Sequence, residues 1–184
     1  TRFPQEGNPK PRMFRSNKHG ALVNRMGFNN PGATEVRDRL IERRASGKWP
    51  KTPVAANIGR SKKTPNESAA SDYSQTLEML WNHADMFVLN ISSPNTPGLR
   101  DLADADYLSS IVTECRLMAE RKGGGKPLLV KVSPDASNEE ILSSAHSALR
   151  SGADGLVAIN TSMHRPVPRN AASRGVFALS LIHI

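Results

Sequence analysis

Four short apolar runs recur along the chain: "PVAANIG" (53–59), "MFVLNISSP" (86–94), "PLLVKVSPD" (127–135) and "GLVAIN" (155–160). They are continuous rather than alternating, the pattern expected of strands covered on both faces. Helical patterns precede and separate them. Residues 33–46 place Val36, Leu40 and Ile41 at helical spacing, and 66–83 place Tyr73, Leu77 and Leu80 on one side. Residues 104–122 align Leu108, Ile111, Val112, Cys115 and Met118. Residues 137–152 open with Ser137 and Glu140 at capping-box spacing and close on Gly152, with Ile141, Leu142, Ala145, Ala148 and Leu149 as the apolar face. Strand then helix, repeated, builds a parallel sheet of the α/β class. The polar residues that end the runs, Asn57, Asn90, Lys131 and Asn160, are 33, 41 and 29 residues apart. These are the lengths of βα units, without a repeat in the sequence itself.

Two architectures share this alternation. A doubly wound open sheet usually carries a Gly-rich turn after its first strand. Here "KGGGKP" (122–127) precedes a strand and reads as a flexible loop. A (β/α)8 barrel places its chemistry at the C-terminal ends of several strands, which is where the unusual residues of this chain fall. Such a barrel typically needs ~250 residues. Only four clear strands are present, with an edge piece near "NRMGF" (24–28), so the expectation is an incomplete TIM barrel.

Asn57, Asn90, Ser93, Asn95, Lys131, Asn160 and Thr161 all lie at or just past a strand end. One Asn in such a place is ordinary turn chemistry. Several amides converging on one rim suit a flat ligand whose edge alternates C=O and N–H, as a pyrimidine or a flavin does. Lys131 stands among Leu128, Leu129, Val130 and Val132. It reads as a cation held against an anionic ligand, or as a snorkelling or ion-paired lysine. In "NISSPNTPGLRDL" (90–102), Pro94 steers Ser93 towards extended backbone and Pro97-Gly98 completes a turn. The expected result is a stiff loop fixing Ser93 and Asn95 above the mouth. A serine hydroxyl is a poor base, so a proton taken there must move on through Thr96 or water.

Charge and composition narrow the remaining classes. Residues 1–63 hold 15 Lys+Arg against 4 Asp+Glu, and residues 64–184 hold 10 against 13. The basic third could face nucleic acid, anionic lipid or phosphate, or be a solvated surface. Aromatic residues make up only 5% and do not interleave the basic ones, which argues against a nucleic-acid stacking platform. The single cysteine, Cys115, excludes an internal disulfide and a Cys-based zinc site. The scattered His19, His83, His146, His164 and His183 suggest no metal.

The stretches "NRMGFNNPGA", "NIGRSKKTP", "NISSPNTPGLRDL", "PLLVKVSPD" and "DGLVAINTS" closely resemble the dihydroorotate dehydrogenases, in particular the quinone-linked, membrane-associated class. "TRFPQEGNPKPRMFR" fits the segment after that family's second barrel strand, and the likeness covers roughly residues 1–172. It implies a TIM barrel holding FMN, oxidation of dihydroorotate to orotate in de novo pyrimidine synthesis, and reoxidation by a quinone. By motif position Ser93 would be the base that removes the C5 proton; the soluble class is expected to carry Cys there. Asn24, Asn90, Asn95 and Asn160, with Thr161, would hold the substrate, and the stretch Asn24, Arg25, Met26, Gly27 and Phe28 would wrap it. Asn57, Asn90 and Lys131 would contact the flavin.

The family's membrane helices, first barrel strand, early flavin-binding loop and a carboxylate-binding lysine have no counterpart here. Association with a membrane surface, peripheral and on the cytoplasmic face of the inner membrane if bacterial, would come from such segments, the portion here being soluble. "ASRGVFALSLIHI" leaves the family pattern after about Phe177, before the strands that carry the flavin phosphate site. Residues 1–177 are therefore expected to form the partial FMN-binding barrel and 178–184 an atypical tail, an artefact of truncation. Ile159 stands where many relatives have Thr or another small polar residue. The competing readings are a related FMN barrel acting on another dihydropyrimidine, and a basic module binding nucleic acid or anionic lipid through residues 1–63.

Overall fold

A computed structural model describes residues 1–17, 21–92 and 105–163, together with the backbone of 178–181. Two sheets are present among the described residues. The larger is parallel: β3 (Ala55–Ile58), β4 (Met86–Asn90), β5 (Leu128–Lys131) and β6 (Gly155–Val157) lie side by side in chain order. Each step of one strand is made through a helix: α2 (Ala69–Leu80), α3 (Ala105–Arg121) and α4 (Asn138–Arg150). α1 (Ala33–Ala45) precedes β3 and packs on α2. A doubly wound sheet would reverse strand order at a switch point. The unbroken order here is that of a barrel wall.

The smaller sheet is antiparallel. β1 (Met13–Ser16) pairs with β2 (Ala21–Asn24), and β2 pairs with β7 (Ala178–Leu181). The segment expected as an atypical tail thus contributes a strand beside β2. The edge piece expected at 24–28 ends at its first residue. Gly27 (φ 73°) and Phe28 (φ 55°) are both left-handed, so the chain cannot continue as a strand.

The register fixes which side chains share a face. Asn57 pairs with Val88, Asn90 with Lys131, and Lys131 with Val157. Partners in a ladder point the same way and neighbours along a strand point oppositely. Ile58, Phe87, Leu89, Leu128 and Val130 therefore face the helices. They are fully buried against Tyr73, Leu77, Leu108, Ile111, Val112 and Cys115. Trp81 and Phe87 stack at 5.5 Å between centroids. The opposite, concave face carries Asn57, Val88, Asn90, Leu129, Lys131 and Val157. It is only partly covered: Asn57 is exposed, and Leu129, Lys131 and Val157 are half-buried. This corrects the expectation of strands covered on both faces. The apolar residues of the concave row are those of a barrel lining, and among the described residues no opposite wall closes over them.

Local signals form as the sequence predicts at α4. The Ser137 hydroxyl accepts from Glu140 N (3.2 Å), Glu140 Oε2 accepts from Ser137 N (2.7 Å), and Gly152 follows the last turn at φ 102°. The apolar face predicted for α4 is nonetheless mostly in water. Ala148 is buried, but Leu142 is 58% and Leu149 47% exposed. α4 leans on α3 through Ser151–Ser109 (2.9 Å), and its outer flank meets nothing described. Likewise Ile41 of the predicted α1 face is exposed, while Val36 and Leu40 pack on the core. The glycines of "KGGGKP" all take positive φ, and Lys126 Nζ anchors the loop on Ala84 O (2.7 Å) and Trp81 O.

Candidate active site

The C-terminal ends of β3–β6 form one rim, and polar side chains collect there. Asn90 closes β4 and is 4% exposed. Its Oδ1 accepts from Ser92 N (3.3 Å), Ser92 Oγ (3.4 Å) and Asn160 Nδ2 (3.2 Å). Asn160 Nδ2 also reaches Ser92 Oγ (2.9 Å), and Asn160 Oδ1 receives Thr161 N (2.8 Å). Residues 70 positions apart in the chain are thereby joined into one amide–hydroxyl cluster. The loop after β6 is held a second way: Asp135, beyond β5, accepts from Met163 N (2.9 Å) and from the Ser162 hydroxyl.

Lys131 stands beside Asn90 in the ladder, on the same concave face. It is half-buried, and among the described residues no carboxylate pairs with it. Burial alone pushes its pKa below the usual lysine value. The ion-paired alternative for this lysine is therefore not what the described structure contains. Asn57 shares the face one layer lower, since its partner is Val88 rather than Asn90. That layer is roughly 7 Å along the strand, two residues at the usual rise.

The stretch from Asn24 to Phe28 reaches the rim through Phe28, and not all of it faces inward. Asn24 Oδ1 accepts from Met26 N (3.3 Å). Arg25 turns away, its Nε donating to Pro11 O (3.1 Å) and its N–H to Arg12 O (2.9 Å). Gly27 lies where a Cβ would come within 2.7 Å of Asn8 N, so both the positive φ and the contact require glycine. Phe28 lays its ring on Gly59, 3.0 Å from where a Cβ there would stand. Met26, Phe28 and Asn57 line a cavity of about 480 Å³ along the open edge of β3, with Val36, Leu40 and Leu80 beyond. Asn90, Lys131 and Asn160 do not line it, so this apolar cavity is beside the polar cluster and not its ligand space. Ser93, Asn95 and Thr96 lie outside the described residues.

Several residues that build the rim were not singled out from sequence. Asp72, 2% exposed, accepts from Ser61 N (2.7 Å), Ser61 Oγ (3.2 Å) and Thr64 Oγ1 (3.2 Å), shaping the loop after β3. An Asp in a first helical turn reads as dipole chemistry, and only the tertiary fold reveals the loop it holds. Ser92 belongs to the "SSPNT" motif, but its hydroxyl bonds inside the cluster.

A parallel sheet in sequential order, backed by helices and carrying its polar residues at the C-terminal rim, defines the class: a portion of a (β/α)-barrel enzyme. The chain belongs to the dihydroorotate dehydrogenase family, whose profile, described as "Dihydroorotate dehydrogenase", matches residues 1–176. A relative named dihydroorotate dehydrogenase (quinone), from Anaeromyxobacter dehalogenans strain 2CP-C, is 48% identical over 163 residues, 88% of this chain and 44% of the relative. One of the same name from Streptomyces avermitilis is 45% identical over 164 residues, again 88% and 44%. The solved ligand-free DHODH of Eimeria tenella superposes with a TM-score of 0.84 at 36% identity, over 97% of this chain and 54% of that one. The chain spans about half the length of the curated relatives it matches.

Proposed function

We propose that the protein carrying this chain oxidises dihydroorotate to orotate for pyrimidine synthesis, with FMN bound in the barrel and a quinone as final acceptor. The observation that carries this reading is the Asn90–Ser92–Asn160 cluster beside a half-buried Lys131 that has no carboxylate partner among the described residues, on the concave face of a barrel wall. The donor set fits a flavin. A half-buried ammonium with no carboxylate among the described residues suits a ring edge that becomes anionic on reduction, and amides suit its carbonyl and N–H groups. Bound FMN supplies the acceptor for the hydride that leaves C6 of the substrate.

The chain's own residues then divide the work. Lys131 would supply positive charge to the flavin as it becomes anionic, and Asn57 and Asn90 would orient its ring. Asn24, Asn90, Asn95, Asn160 and Thr161 hold the substrate carboxylate and ring amides. Phe28, lying over Gly59, limits water at that side of the rim. Ser93 takes the C5 proton, which leaves through Thr96 or water. The quinone acceptor is supported by the name its relatives carry. Peripheral attachment to a membrane rests on the family resemblance; among the described residues no helix is long and apolar enough to cross one.

The test is dihydroorotate-dependent quinone reduction by the complete polypeptide. Ser93→Ala is expected to lower turnover by about two to four orders of magnitude, the range of a lost general base, with flavin still bound. Turnover unchanged in that variant would remove Ser93 from the reaction. A wild-type protein without flavin would remove the reading as a whole.

A further inference from the structure

We infer that the Tyr73 hydroxyl is a positioning group for this site, tying the C-terminal ends of β3 and β4 together so that the Asn57 and Asn90 amides keep their relation. The ladder between the two strands ends at the pair Ile58–Leu89. Beyond it β3 passes through Gly59 into the loop at Arg60, and β4 runs one residue further to Asn90. Tyr73 of α2 reaches this point with its ring fully buried. Its hydroxyl donates to Asn90 O (2.8 Å), and the backbone N–H of Arg60 stands on its oxygen's other side, close enough to lower its pKa. The hydroxyl thus stands where the next rung of the ladder would be.

The neighbouring structure gives that rung its consequence. Fixing the Asn90 peptide fixes the start of the side chain that holds Ser92 and Asn160. Asp72, the preceding residue of α2, clamps Ser61 and Thr64 in the same loop, so two adjacent helix residues set both strand ends. Packing alone would be satisfied by phenylalanine. A buried hydroxyl is costly without partners, and this one has the Asn90 carbonyl as its acceptor with the Arg60 N–H beside it. Burial raises its pKa, with the Arg60 hydrogen bond working against that, so it stays a protonated donor across the working range.

The effect on turnover rests on the dihydroorotate reading; the strut itself does not. The test is Tyr73→Phe in the complete polypeptide, with amide exchange at Arg60, flavin content, kcat and KM measured together. Exchange at Arg60 is expected to quicken by about two- to tenfold, the equivalent of one net hydrogen bond. Flavin content should hold, and kcat should fall about ten- to a hundredfold, as for small misplacements of reacting groups. A site-specifically fluorinated tyrosine at 73 keeps ring and hydroxyl, and should restore both. It also serves if the phenylalanine variant fails to fold, because exchange and kcat unlike wild type in that protein would contradict the strut. Unchanged exchange in Tyr73→Phe overturns the strut. Faster exchange with unchanged kcat overturns the positioning role. A flavin-loaded wild type that leaves dihydroorotate untouched overturns the functional reading and the role in turnover, with the exchange result still deciding the strut.

Discussion

Lys131 is held at a cost to the fold. Its ammonium is half-buried beside Asn90 with no described carboxylate to offset desolvation, and its pKa lies below the ordinary lysine value. The sign of the linkage follows. Between the lowered folded value and the ordinary 10.5 of the unfolded chain, the unfolded state binds more protons, so stability rises with pH across that window. Below the lowered folded value the charge is present and the penalty stands. Lys131→Met, similar in length and uncharged, is therefore expected to raise the melting temperature of the flavin-free protein. It is also expected to weaken flavin retention, read from the yellow absorbance remaining after gel filtration. A lower melting temperature would mean that the ammonium supports the fold and that the ligand argument is mistaken. The same reasoning explains why this residue stood out in sequence: a lysine inside an apolar strand demands a partner, and the fold supplies none among the described side chains.

At the opposite end of the sheet, two elements begin in the same way. Asp85, just before β4, exchanges backbone bonding with Val54, and its carboxylate accepts Val54 N (2.7 Å). Asp154, just before β6, does the same with Leu128, again at 2.7 Å to the N–H. Each clamps the start of one strand to the start of the strand before it, and Arg116 of α3 adds an ion pair to Asp154 (2.7 Å). For Asp154, burial pushes the pKa up, but the Leu128 N–H and Arg116 together outweigh it and the net shift is downward. Stability from this clamp is present above the unfolded carboxylate value of 3.8 and is lost as pH falls through the lower folded value. Urea midpoints of the wild type should therefore drop below about pH 4 more steeply than those of Asp154→Asn; parallel curves would contradict the clamp.

The shared "AD" before each strand, Ala84-Asp85 and Ala153-Asp154, was visible in the sequence but had no periodicity to announce it. Elements defined by apolar spacing were legible for that reason. α3 buries Leu108, Ile111, Val112, Cys115 and Met118 as its pattern requires, and the capping box of α4 forms. The β1–β2 hairpin was not legible, because four-residue strands bearing Arg15 and Asn24 lack a clear alternation. The Asn90–Asn160 link shows why the candidate site was legible in part. Strand-end amides mark the rim, but which of them touch is decided by loops of different length.

At the scale of the whole molecule, the packed core and the candidate site lie on opposite faces of one sheet. The convex face is sealed: Leu89 is fully buried under α2 and α3, and Leu89→Ala is expected to cost about 2–5 kcal/mol, the usual range for a buried leucine. The layer then ends abruptly. Leu142 and Leu149 on α4, with Leu156 on β6, form an apolar flank left exposed by everything described. A leucine truly in water tolerates alanine within about 0.5 kcal/mol, so the two positions distinguish two molecules. If α4 is the last helix of the wall, Leu149→Ala should be nearly silent in urea titrations. If a further βα layer continues the wall, as relatives about twice this length suggest, the same change buries a cavity and should cost as much as Leu89→Ala. The expected outcome in the complete polypeptide is the second. A silent Leu149→Ala beside a costly Leu89→Ala would show that the wall stops at α4, and that the concave face which gathers Asn57, Asn90 and Lys131 is never closed by a continued barrel.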